Sequence, residues 1–207
     1  MREDGKPDGL GSELADIMVD QALSHAWRKL LKRHVDSPRF AVISYGKLGG
    51  KELGYASDLD LVFLFDDPDP EAAQVYSKLA TRLNTWLSAQ TAAGQLFETD
   101  LRLRPNGEAG LVVSSMASFH KYQLESAWLW EHQALTRARF TAGDPAVGEA
   151  FERIRCEVLC QRRDMAKLRE DVLAMRRKMY EAHGGKSSLF DLKHDRGGLI
   201  DVEFIVQ

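Results

Sequence analysis

Cysteine is scarce in this 207-residue chain, and the two that occur, Cys156 and Cys160, stand one helical turn apart. With no further cysteine and no histidine at zinc-ligand spacing, nothing supports a metal or redox role, and both thiols are expected to pack on the apolar face of a helix. The six histidines, His25, His34, His120, His132, His183 and His194, form no HExxH or similar cluster. Long apolar runs are missing too. None approaches the ~20 residues of a membrane span, and the opening MREDGKPDG has no apolar core of the signal-peptide kind. The expectation is a soluble, cytoplasmic protein. Basic charge is not in excess: 28 Lys and Arg against 31 Asp and Glu give a net charge of −3 and a pI near 6.1. Without a basic block interleaved with aromatics, nucleic acid is not expected as the principal partner. Neither internal repeats nor low-complexity segments occur.

What is present is ordinary globular material, 44% hydrophobic and 29% charged, enough for one core or a core with a helical appendage. Residues 1–11 are polar and glycine-rich, and disorder is expected there. Ser12 caps a predicted helix with Leu14, Ile17, Met18, Ala22, Ala26 and Leu30 at helical spacing, ending near His34. After Asp66–Pro70, the stripe Val75, Leu79, Leu83, Trp86 and Leu87 predicts a second helix, to about Gln90. Gln95–Pro105 reads as a strand, with Glu98, Asp100, Arg102 and Arg104 on one face and Phe97, Leu101 and Leu103 on the other. Leu111–Val113 is an edge strand or extended loop. Helices are then expected over Ser115–Leu124, over Ala127–Arg139 with Trp128, Leu135 and Ala138 toward the core and Glu131, Arg137 and Arg139 either site residues or ordinary core and surface groups, and, after a break at Ala142–Pro145, over Ala146–Cys160 and Met165–His183. The loop Gly184–Ser188 lacks both the leading glycine and the feeding strand of a P-loop.

The chemistry concentrates in Phe40–Asp66, FAVISYGKLGGKELGYASDLDLVFLFD. Phe40–Tyr45 is a β-branched and aromatic run that reads as a buried strand. Gly46, Gly49, Gly50 and Gly54 follow within nine residues, permitting positive φ and the close backbone approach that cradles phosphate oxygens. In the next predicted strand, Asp58–Asp66, period two puts Asp58 and Asp60 on one face and Leu59 and Leu61 on the other. Two carboxylates converging to about 4 Å repel by roughly 4 kcal/mol at an effective dielectric near 20. That repulsion calls for a cation, and a hard ion such as Mg²⁺ shares its oxygen shell between carboxylates and substrate phosphates. Strand, glycine loop and Asp-x-Asp together read as a nucleoside triphosphate laid on backbone amides, its metal held by aspartates.

This spacing resembles the nucleotidyltransferase superfamily, in which a Gly-Gly or Gly-Ser pair follows a strand and Ser-Asp-x-Asp comes about a dozen residues on. Gly46 and Lys47 occupy the pair, with Lys47 a departure, and Ser57, Asp58 and Asp60 the rest. GKLGGKELGYASDLDLVF is similar to one branch, the glutamine synthetase adenylyltransferase / adenylyl-removing enzymes, which carry two related copies of the domain. Gly54-Tyr55, Trp128–Leu135, Gly143-Asp144-Pro145 and the Asp195–Gln207 segment extend the resemblance from about Leu14 to Gln207, closer to the adenylyl-transferring C-terminal copy.

The resemblance implies an α+β, polymerase-β-like nucleotidyltransferase fold with a small mixed sheet over residues 12–145, followed by the start of a helical domain over 146–207. It implies Asp100 as third metal carboxylate beside Asp58 and Asp60, and Gly46, Lys47 and Ser57 on the phosphates. Arg102 and Arg104 either reach triphosphate oxygens or form a solvated edge. Asp201 and Glu203 either face the site or simply favour a helix N-terminus. The implied reaction is transfer of AMP from ATP, with Mg²⁺, to a tyrosine of glutamine synthetase, with a PII-type signalling protein as a partner of the full-length enzyme. The rivals are phosphorolytic removal of AMP and a nucleotide-binding module without chemistry of its own. Because the resemblance continues past Gln207 and Leu199–Val206 is apolar on nearly every side, a fragment of a longer enzyme is expected. Its last helix should either dock on the core or expose apolar surface.

Overall fold

The computed structural model of the chain describes residues 9–92, 94–184 and 189–207. Two consecutive strands form its centre. β1, Phe40–Ser44, and β2, Leu59–Phe65, are antiparallel, with Phe40 opposite Phe65 and Ser44 opposite Leu61. Both are buried on both faces, which is why they read as near-continuous apolar runs rather than as alternation. On one side Phe40, Val42, Leu59, Leu61 and Phe63 pack under helices α1, Leu10–Arg28, and α3, Ala72–Ser88. On the other, Ala41, Ile43, Val62 and Leu64 meet α4, Met116–Glu125, α5, Leu129–Leu135, and α6, Pro145–Leu159.

Among the described residues the sheet runs β5-β2-β1-β7, with β6 also on β2. The free edge of β2 is shared. β5, Thr99–Asp100, pairs in parallel with its start, Leu59 to Thr99 and Asp60 to Asp100, and β6, Val113–Ser115, pairs in parallel with its end. The other edge, β7 at Arg139–Gly143, lies antiparallel to β1. α2, Gly46–Gly49, is a single turn between β1 and β2. The little hairpin of β3, Gln90–Thr91, and β4, Gly94–Gln95, follows α3, and the chain closes with α7, Met165–His183, and α8, Leu199–Val206.

Several expectations need correction. Gln95–Pro105 is not one strand: Gln95 belongs to the hairpin, and directly after Asp100 its own carboxylate accepts the Arg102 N–H at 2.8 Å and turns the chain. Ala127–Arg139 divides into a two-turn helix and the start of β7, and Trp128 is exposed rather than core. α1 begins at Leu10 and ends at Arg28, and it buries Ala15, Val19, Leu23 and Ala26 while Leu14 and Ile17 face out. Cys156 and Cys160 are exposed, because Val147, Phe151, Ile154 and Val158 form the buried stripe of α6. Against the disorder expected over residues 1–11, Leu10 and Gly11 are already helical in α1; residues 1–8 and most of the loop at 184–188 lie outside the described residues.

Candidate active site

β2 begins at the sheet edge with Asp58 just before it and Asp60 as its second residue, and the parallel partner β5 sets Asp100 beside Asp60. One oxygen of each of the three carboxylates lies within 4.8 Å of the other two. At that spacing each ionised pair repels by roughly 3.5 kcal/mol at an effective dielectric near 20. The cost falls on Asp60, the most enclosed of the three: burial, then the charges of Asp58 and Asp100, push its carboxyl up to about 6, against the pull of Arg102 and Lys47. Asp100 behaves in the opposite way. Its carboxylate is gripped by Arg102, through the backbone N–H at 2.8 Å and a forked guanidinium contact with Nε at 2.8 Å, and its pKa is lowered. Three hard oxygen donors converging on one point fit a divalent cation of the Mg²⁺ class.

The glycines around this triad have separate jobs. Gly46 has φ +53°, and a Cβ there would overlap the Asp60 carboxylate, so only glycine lets α2 sit against the acid. Gly49 is different. A Cβ on it would strike the Arg137 carbonyl, so its close approach is to protein backbone and not to a ligand. Lys47 is exposed, its Nζ 3.4 Å from the Ser57 hydroxyl, which in turn accepts the Gly54 N–H at 3.2 Å. The Lys47 charge acts on Asp60, and Ser57 directly precedes Asp58.

Asp58 and Asp100 border a groove of about 520 Å³ that is also lined by Asn84, Glu98, Thr99 and Arg102. A larger groove of about 830 Å³, between residues 30–32 and α3, is lined by no carboxylate and offers a metal no anionic oxygen. Arg104 also borders the first groove, but its guanidinium is occupied by the carbonyls of Leu101 at 2.7 Å, Glu108 at 3.2 Å and Gly110 at 3.3 Å. That accounts for it without a phosphate. Neither Asp201 nor Glu203 joins the triad: Asp201 is paired with Arg176, and Glu203 with Arg137.

The glycine segment is supported from the core, in part by Arg139, which the sequence marks as a possible site residue. Arg139 donates to the carbonyls of Leu48 at 3.0 Å and Gly49 at 3.2 Å and pairs with Asp16 of α1 at 2.6 Å, so it ties the end of α2 to the core. The buried Ser12 hydroxyl accepts the Leu53 N–H at 3.1 Å. Asn84, with a side-chain oxygen buried and unpartnered, reaches the groove from α3. The alternating arginines of RARF at 137–140 were the available signal for the first of these. For Asn84 no sequence signal exists, because it reaches the groove only through the packing of α3.

The family model described as glutamate-ammonia ligase adenylyltransferase matches residues 10–154. A protein of Aromatoleum aromaticum, a bifunctional glutamine synthetase adenylyltransferase/adenylyl-removing enzyme, is 72% identical over 196 residues, 95% of this chain and 21% of the relative. The enzyme of the same description from Nitrosomonas europaea is 61% identical over 196 residues, again 95% of this chain and 21% of the relative. The chain thus spans about a fifth of the length of the curated relatives it matches. Matched by the family model over most of its length, the chain that sets these three aspartates together belongs to the glutamate-ammonia ligase adenylyltransferase family.

Proposed function

We propose that this chain carries a polymerase-β-like nucleotidyltransferase centre, and that it transfers AMP from ATP to a tyrosine of glutamine synthetase. The observation that supports this most strongly is the convergence of Asp58, Asp60 and Asp100 within 4.8 Å, beside a glycine that has no room for a side chain. Mg²⁺ held by these three carboxylates would neutralise the triphosphate and the departing pyrophosphate. Lys47, Ser57 and the Gly46 backbone hold phosphate oxygens at the mouth of the site. Arg102, with a side chain 70% exposed, has the freedom to turn from Asp100 to the triphosphate.

A phenol with a pKa near 10 keeps its proton at neutral pH, so the site must take it. Asp100, released when Arg102 leaves for the phosphates, would serve to take that proton, with the metal as the alternative means of removing it. The phenol oxygen then attacks the α-phosphorus, the new P–O bond forms as the bond to the β-phosphate oxygen breaks, and pyrophosphate leaves with the electron pair. Running the same geometry with inorganic phosphate and adenylylated protein would give removal, the other activity in the relatives' description.

A labelled-nucleotide assay tests this. ATP labelled at the α-phosphate, Mg²⁺ and unmodified glutamine synthetase should yield labelled protein and pyrophosphate. Release of ADP from modified glutamine synthetase and phosphate, without transfer, would assign removal instead. Nucleotide binding with neither reaction would leave a binding module.

A further inference from the structure

The segment from Gly46 to Gly54 is fastened on three sides. Arg139 holds the carbonyls of Leu48 and Gly49, Ser12 holds the N–H of Leu53, and both anchors belong to the core. The third fastening has a different character. Arg137, in the turn between α5 and β7, lays its carbonyl against Gly49 and its guanidinium against Gly50, so that side chains at either glycine would displace it. That guanidinium is shared by two carboxylates from distant parts of the chain: Glu52, at the end of the glycine segment, and Glu203 of α8, the latter at 3.0 Å. An arginine can serve both, since its planar fork presents several donors in fixed directions, whereas a lysine offers one point charge.

α8 itself is held loosely. Only Ile200 is buried, and apart from Glu203 its polar ties stay within the C-terminal segment: Asp201 to Arg176 of α7, a helix with no buried residue, and the N–H groups of Leu199 and Ile200 to the carbonyls of Leu192 and Lys193. A small groove of about 430 Å³ lined by Glu52, Thr136, Arg137, Val202 and Glu203 marks where the two parts meet. The carboxylate of Glu203 is thus delivered by an element that can seat or unseat while the core remains folded. Only the guanidinium stands between it and the turn that packs on Asp60.

We propose that Arg137 is a positioning residue that clamps the glycine segment of the nucleotide site to α8, so that the seating of α8 sets how firmly that segment grips the triphosphate. The proposal rests on the nucleotidyl-transfer reading for its consequence, but the clamp itself can be measured without it. With Glu203 in place, Arg137 is drawn between two negative partners and fixes Glu52. Without it, the guanidinium follows Glu52 into solvent and the end of α2 loosens. Glu203 is half exposed, so its neutralisation does not threaten the fold.

The test is amide hydrogen exchange on the whole 207-residue chain and on Glu203→Gln, Arg137→Met and the double variant, paired with titration of Mg·ATP. The reporters are the N–H groups of Gly49, Gly50, Lys51 and Glu52, bonded to Tyr45, Gly46, Leu48 and Lys47. Glu203→Gln should accelerate their exchange about fivefold, the scale of a partly exposed ion pair, while β1 and β2 stay unchanged. Mg·ATP should bind more weakly by a similar factor, and the double variant should be no worse than Arg137→Met alone. Unchanged exchange at these four amides in Glu203→Gln, acceleration spread evenly over the sheet, or additive effects in the double variant would each overturn the clamp. If the unmodified chain binds no Mg·ATP, the nucleotidyl-transfer reading fails, and the exchange results still decide for or against Arg137.

Discussion

Ionising Asp60 places a third negative charge beside Asp58 and Asp100, and the fold bears the cost whenever no cation is present. The folded pKa of about 6 exceeds an unfolded value near 3.8, so the folded chain binds this proton more tightly. The associated stability is therefore complete below about pH 4 and is lost as pH rises through about 6. Because the carboxyl is partly solvated, the full shift must be discounted to about 1–2 kcal/mol. Asp60→Asn should thus abolish transfer yet raise the melting temperature of the metal-free chain by about 2–6 °C at neutral pH. Scanning calorimetry at pH 4 and pH 7 checks it, with the gain absent at the lower pH; equal or lower stability at pH 7 would contradict it. The same proton competes with the cation, so Mg·ATP affinity should fall as pH drops below about 6, measured by titration at several pH values, and a flat profile would remove Asp60 from the metal site.

Elements differ in how far the sequence revealed them. β1, the glycine turn and β2 were legible because Pro38, the glycines and the paired aspartates bound two near-continuous apolar runs, and Asp58 and Asp60 mark which face of β2 carries the acids. β5 was legible as to its carboxylate but not its length, since its two residues are strand only through pairing with β2, a tertiary contact that sequence period cannot report. α1 was read correctly only in its second half, where Ala22, Ala26 and, just past its end, Leu30 do meet the core; its first half carries two apolar stripes, Leu10, Leu14 and Ile17 beside Ala15, Val19 and Leu23, and only packing selects between them. The turn after Asp100 separates two arginines that looked alike in sequence. Arg102→Ala should raise the ATP concentration for half-saturation about tenfold with little change in stability. Arg104→Ala should leave several carbonyls unpaired and cost about 1–2 kcal/mol, with ATP dependence changed mainly through that loss. Kinetics and denaturant unfolding on both variants check the division, and the reverse pattern would exchange their roles.

Across the molecule, the core around β1 and β2 is closed on both faces, whereas the C-terminal helices leave apolar surface open. Ile205 and Val206 of α8 are 84% and 79% exposed, and Leu199 and Val202 about half. Of the two outcomes expected for a last helix apolar on nearly every side, this is exposure. The chain should bind a hydrophobic dye, and Val202→Asp with Ile205→Asp should remove most of that signal; undiminished fluorescence would place the sticky surface elsewhere. The central claim is that three aspartates from β2, its approach and β5 form one metal and nucleotide site. A crystal structure of the chain with Mn²⁺ and a non-hydrolysable ATP analogue tests it most directly. The account predicts anomalous density bonded to Asp58, Asp60 and Asp100, with the triphosphate beside Lys47 and Ser57. A nucleotide bound elsewhere, or Mn²⁺ absent from all three carboxylates, would contradict it.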